Sequence, residues 1–81
     1  MPVILRYKGY RFFFYSNEGN PREPLHIHVR KGSHVAKFWI KPQVTLAESY
    51  GFLSSELKKF AAIIGKNKNK IERSWNEYFN H

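Results

Sequence analysis

Residues 25–32, Leu25-His26-Ile27-His28-Val29-Arg30-Lys31-Gly32, alternate apolar and cationic side chains and then stop at a glycine. Successive side chains leave a strand on opposite faces, so a period of two marks a half-buried strand. A second alternating run, His34 to Ile40, follows Gly32-Ser33. Two such runs around a Gly-Ser pair predict a β-hairpin with a tight turn. That turn sets the register. Lys31 should face His34, Arg30 face Val35, Val29 face Ala36, His28 face Lys37, Ile27 face Phe38 and His26 face Trp39. Opposed residues project from one side of a sheet. Leu25, Ile27, Val29, Ala36, Phe38 and Ile40 therefore make an apolar face. His26, His28, Arg30, Val35, Lys37 and Trp39 make the other, expected to look at solvent or at a ligand.

The flanking sequence sets this hairpin inside a larger sheet. Val3-Ile4-Leu5 predicts a first strand, and Tyr7-Lys8-Gly9-Tyr10 can turn it into Arg11-Phe12-Phe13-Phe14-Tyr15. That aromatic run has high strand propensity. Its aromatics fall at both parities, which implies cover on both faces or a place at a groove. Residues 16–24, rich in Asn, Gly and Pro, read as a loop. Lys41-Pro42 ends the fourth strand. Residues 43–48 alternate again as a fifth, edge strand, and Ser49-Tyr50-Gly51-Phe52 reads as a turn.

Beyond about residue 50 the apolar period becomes helical. Ser54 is the expected N-cap and Glu56 suits the first turn. Leu57, Phe60, Ala61 and Ile64 share one helical face, and Gly65 is the expected stop. Ile71, Trp75, Tyr78 and Phe79 mark a second helix, from about residue 67 or 69 to 79. Strands first and helices last predict an α+β domain. Its antiparallel sheet has four to five strands, and two C-terminal helices pack on one face.

An 81-residue chain of this composition holds one core, hence a single domain over residues 1–81. It has no cysteine, which excludes disulfides and thiolate metal sites. The first residues carry too short an apolar run for a signal peptide, and no stretch approaches the ~20 apolar residues of a membrane span. The cytoplasm is the expected location, with no membrane partner. Fourteen Lys and Arg against 6 Asp and Glu give a net charge of +8. So strong a field favours polyanions: nucleic acid, an acidic protein or an anionic surface.

His26 and His28 stand two residues apart, so their rings point the same way. A metal would need a third ligand from Glu18, Glu23, His34 or His81, and His34 falls on the opposite face; no metal and no cofactor is expected. In RNA transesterification one imidazole would act as base and the other as acid, with Lys37 or Arg30 stabilising the developing charge. Catalytic candidates are then His26, His28 and Lys37. In simple binding, Arg30, Lys37, Lys31 and Lys41 would contact phosphates while Trp39 or Tyr15 stack on bases. A third reading makes the histidines structural, with Trp39 and Val35 covered by another strand or subunit. The lysines between residues 58 and 70 extend a phosphate-binding surface or simply solvate a helix face.

Several of these segments resemble a family of small bacterial proteins that carry a domain of unknown function. They are Met1-Pro2, Arg11-Phe12-Phe13-Phe14-Tyr15-Ser16-Asn17-Glu18, Glu23-Pro24-Leu25-His26-Ile27-His28-Val29, Ala36-Lys37-Phe38-Trp39, Glu56-Leu57 and Trp75-Asn76-Glu77-Tyr78-Phe79. The resemblance spans essentially the whole chain, and its most specific mark is the His-x-His after a proline. Family members often have Pro where this chain has Leu25. The resemblance implies a small cytosolic component of a toxin–antitoxin-like pair, encoded beside a second small protein, with the toxin as the leading role and the antitoxin role left open. It assigns no activity and no catalytic residues. The expected function is thus a toxin that binds RNA, with ribonuclease activity an open question. The alternative is a non-enzymatic module whose basic surface takes an acidic partner protein or nucleic acid. A homodimer through the edge strand is also open.

Overall fold

A computed structural model describes residues 3–15 and 24–79. Five strands come first: β1 (Val3–Tyr7), β2 (Tyr10–Phe13), β3 (His26–Lys31), β4 (His34–Trp39) and β5 (Thr45–Tyr50). Helices α1 (Ser54–Lys66) and α2 (Lys68–Phe79) follow. The strands form one antiparallel sheet in chain order, β1-β2-β3-β4-β5. This is the α+β architecture the period switch implies. The loop expected over residues 16–24 lies, except for Pro24, outside the described residues.

The β3–β4 hairpin has the register that its turn dictates, from Lys31 opposite His34 to His26 opposite Trp39. Gly32 takes φ +61, a left-handed conformation that costs glycine little and lets a two-residue turn match the twist of its strands. With the register fixed, Ile27, Val29, Ala36 and Phe38 share the face that the helices cover. Phe12, from β2, and Ile40 join them, and all six are buried.

Against this face α1 sets Phe60 and Ile64, and α2 sets Ile71, Trp75 and Phe79, the latter three at a spacing of four residues. The rings interlock edge to face: Phe12 and Phe60 lie 5.8 Å apart, Phe14 and Trp75 5.0 Å. Each fully buried Phe or Ile contributes about 1.5–3 kcal/mol relative to exposure, so this layer is the main source of stability. Tyr78, grouped with the α2 stripe by sequence, is instead 38% exposed at the margin.

Several boundaries differ from the sequence reading. β5 runs from Thr45 to Tyr50 rather than over residues 43–48, so the turn starts at Gly51. Gly51 has φ +91, and a Cβ there would lie 2.4 Å from the His34 ring, so the chain needs glycine to pass this close. Leu53, not Ser54, is the N-cap of α1. Its N–H donates to Glu56 Oε1 at 2.9 Å, the half of a capping box that the N3 carboxylate makes; leucine has no hydroxyl for the other half. Gly65 lies inside α1. The helix ends at Asn67, whose amide Nδ2 donates to the Ile63 carbonyl at 2.8 Å, and α2 starts one residue later.

Both edge strands carry an irregularity. On β1, Val3 faces Phe13 and Leu5 faces Phe12, leaving Ile4 as an extra residue. On β5, Glu48 faces Lys37 and Leu46 faces Phe38, leaving Ala47 extra. All six β5 residues are exposed.

Candidate functional site

The face of the sheet turned away from the helices is built from cross-strand rows. Phe13, His28, Lys37 and Glu48 form one row across β2, β3, β4 and β5. Arg11, Arg30, Val35 and Tyr50 form the next, toward the hairpin tip. His26, Trp39 and Thr45 form the row at the other end. The side chains of such rows stand next to each other on one surface.

Only part of this surface faces solvent. Phe13 is 2% exposed although it belongs to this face. Its ring lies 5.6 Å from the His28 ring in a stacked arrangement and 5.1 Å from Tyr15, edge to face. Tyr15 also meets His28 edge-on at 4.5 Å. The aromatic run of β2 is therefore covered on both sides, as its mixed parity suggested. Phe12 and Phe14 serve the helix side, and Phe13 the outer side.

The two histidines part company here. His26 is fully buried. Its ring is packed edge-on against Trp75 of α2 at 5.1 Å, Trp39 at 5.5 Å and His28 at 5.0 Å. Its Nδ1 lies 2.7 Å from the Pro24 carbonyl oxygen, which accepts a hydrogen bond from the ring N–H. The expectation that His26 looks at solvent or a ligand is thus corrected: α2 reaches the end of the sheet and closes over it. His28, half-buried, keeps access to the outside.

Beside His28 the surface hollows into a groove of about 320 Å³, walled by Tyr15, His28, Val35, Lys37, Glu48 and Tyr50. Of the residues singled out from sequence, Tyr15, His28 and Lys37 meet in this groove. Trp39 is not part of its wall; it is half-buried, with the Lys37 ammonium 4.5 Å from its ring centre, a cation–π contact. Arg30 turns toward the hairpin tip, where its Nε donates to the Gly32 carbonyl at 2.9 Å. Tyr50 and Glu48 were not singled out by sequence. The available signal is the pairing of β4 with β5; an end at residue 48, with Tyr50 read as part of the turn, conceals Tyr50.

The other sheet face has its own polar cluster, at the N-terminus of α1. Tyr10 donates its hydroxyl to Glu56 Oε2 at 2.6 Å. The Tyr10 bond, then the Leu53 N–H, hold the Glu56 carboxyl below its ordinary value, with His34 and Lys31 adding to the effect; partial burial opposes it. The same hydrogen bond pushes the Tyr10 phenol up, helped by desolvation and the nearby negative charge. These contacts tie α1 to β2.

His34 lies on this helix side, its ring 5.6 Å from Phe52, away from His26 and His28 as its parity required. Glu18, Glu23 and His81 lie outside the described residues. Among the described residues no three His, Asp or Glu side chains come together as a metal site would need. No helix among them is long and apolar enough to cross a membrane.

No curated protein and no solved structure matches the chain. Residues 9–76 match the family described as Domain of unknown function (DUF4160). That span takes in β2 through most of α2, and so the groove and everything that builds it. The chain belongs to the DUF4160 family.

Proposed function

We propose that the chain is a cytoplasmic RNA-binding protein, the toxin of a two-protein toxin–antitoxin module, and that single-stranded RNA lies in the outer groove. The observation that carries this reading is the composition of the groove. Tyr15, His28 and Tyr50 line a hollow of about 320 Å³ together with Lys37, whose ammonium lies over the Trp39 ring. Unstacked bases are held on aromatic faces and their phosphates by nearby cations, and antiparallel sheets are a recurrent platform for this. Arg11 and Arg30 extend the cationic surface along the neighbouring row. The net charge of +8 supplies the long-range attraction.

A non-enzymatic second reading is favoured by one observation. Strand β5 is exposed at every residue; Tyr50, its last, and Leu53, just beyond it, are 71% and 67% exposed. An acidic partner protein laid along this edge would cover the mouth of the groove, as an antitoxin would. The two readings separate in a binding titration with the purified protein. Short single-stranded RNA should bind with an affinity that falls steeply as salt rises. Lys37→Ala should lower the salt slope by about one if its ammonium meets a phosphate. Tyr50→Ala should weaken binding without changing that slope. Absence of RNA binding at low salt would reject the RNA reading and leave the partner protein.

A further inference from the structure

We infer that His28, Lys37 and Glu48 form a site that cleaves single-stranded RNA, an inference resting on the groove reading above. The three residues are consecutive members of one row across β3, β4 and β5, and all three line the groove. Adjacent strands run about 4.8 Å apart, so the backbones carrying His28 and Glu48 stand about 10 Å apart with Lys37 between them. The side chains leave on the same face. A phosphodiester seated over Lys37 would have a carboxylate on one side and an imidazole on the other.

That spacing meets a requirement that the two histidines fail. In-line displacement at phosphorus needs a proton acceptor at the attacking oxygen and a proton donor at the leaving oxygen, on opposite sides of the phosphate. His26 and His28 stand side by side, and His26 is sealed under Trp75 and Trp39. His26 instead packs against the His28 ring. Together with Phe13 and Tyr15 it surrounds the His28 ring on three sides, at 5.0, 5.6 and 4.5 Å.

The reaction balances without metal or co-reactant. The Glu48 carboxylate takes the proton of a ribose 2′-hydroxyl. The 2′-oxygen forms a bond to the adjacent phosphorus, and the bond from phosphorus to the 5′-oxygen breaks. Protonated His28 gives its proton to that leaving oxygen. Lys37 offsets the charge that builds on the non-bridging oxygens. The products are a 2′,3′-cyclic phosphate and a 5′-hydroxyl, and exchange with water restores both side chains.

The test uses a DNA oligonucleotide carrying one ribonucleotide, in parallel binding and cleavage assays. Wild-type protein should cut beside the ribose and leave a 2′,3′-cyclic phosphate, with a rate that is bell-shaped in pH. The all-deoxy control should stay intact. Glu48→Gln should lose about 10²- to 10⁴-fold in cleavage rate, the usual contribution of one acid–base group. Because the change removes a negative charge from the groove, it should bind RNA at least as tightly. His28→Asn should lose cleavage to a similar degree. RNA that binds in the groove yet stays intact would overturn the cleavage inference and leave the binding reading standing. So would a Glu48→Gln protein that cuts at the wild-type rate. Absence of binding would overturn both.

Discussion

His26 and His28 start from equal sequence terms and end in different surroundings. They occupy one strand, point to one side of one sheet and lie 5.0 Å apart, ring to ring. One is enclosed by two indoles at the end of the sheet, and the other, half-buried, lines the outer groove. Alternation decides the direction in which a side chain leaves the strand. It does not decide what arrives to cover it, and here the cover comes from Trp75, almost fifty positions away along the chain. Two imidazoles in a motif need not share a role.

Removing the cover should have the largest effect. Trp75 is 3% exposed and touches Phe14, His26 and Phe79. Trp75→Ala should cost about 3–5 kcal/mol, the range for large aromatic truncations in a core. A chemical denaturation curve measures it. A loss below about 1 kcal/mol would mean that α2 does not seal this end.

His26→Ala should follow, at about 2–4 kcal/mol, from the cavity and the stranded Pro24 carbonyl together. The same truncation at His28 should cost less, about 1 kcal/mol, since this residue is only half-buried. It should instead weaken RNA binding. Equal melting-temperature shifts for the two alanine variants would erase the distinction drawn between them.

The smallest effect should appear across the sheet, at Tyr10 and Glu56. Glu56 has its folded pKa lowered, so its contribution is present above the ordinary carboxyl value of 4.5 and is lost as pH falls through the lower folded value. Tyr10 has its pKa raised, so its contribution holds below the ordinary 10.0 and fades as pH rises through the higher folded value. Tyr10→Phe should therefore flatten the acid limb of a melting-temperature profile and leave RNA binding unchanged. A parallel loss of RNA binding would show that the two faces of the sheet are coupled.

The sheet was more legible in the sequence than the site. The hairpin register followed from Gly32-Ser33 alone, because a two-residue turn leaves one way to oppose the strands. The helical stripes of α1 and α2 were legible for a similar local reason. Local signals failed where tertiary contacts replaced them. Ser54 is the natural cap by sequence, yet the cap falls one residue earlier at Leu53, whose N–H is taken by the Glu56 carboxylate. Gly65 looked like a stop, but Asn67 supplies the ending through its own side-chain amide. Glu48 and Tyr50 enter the groove only through strand pairings, and the burial of His26 depends on a helix at the far end of the chain.

The extra residues Ile4 and Ala47 bear on how this protein behaves in a crowd. A sheet with open rims invites other chains to add to it, and long, flat, regular rims are the most hazardous. Here each rim bends at a residue that its inner neighbour does not match. A bulge interrupts the ladder and increases the local twist. A regular strand arriving at β1 or β5 would therefore lose its hydrogen-bond spacing partway along. At β5 it would also meet the charge of Glu48. Unlimited stacking into fibres is thereby discouraged at both rims, while a single partner shaped to the irregularity of β5 could still be admitted.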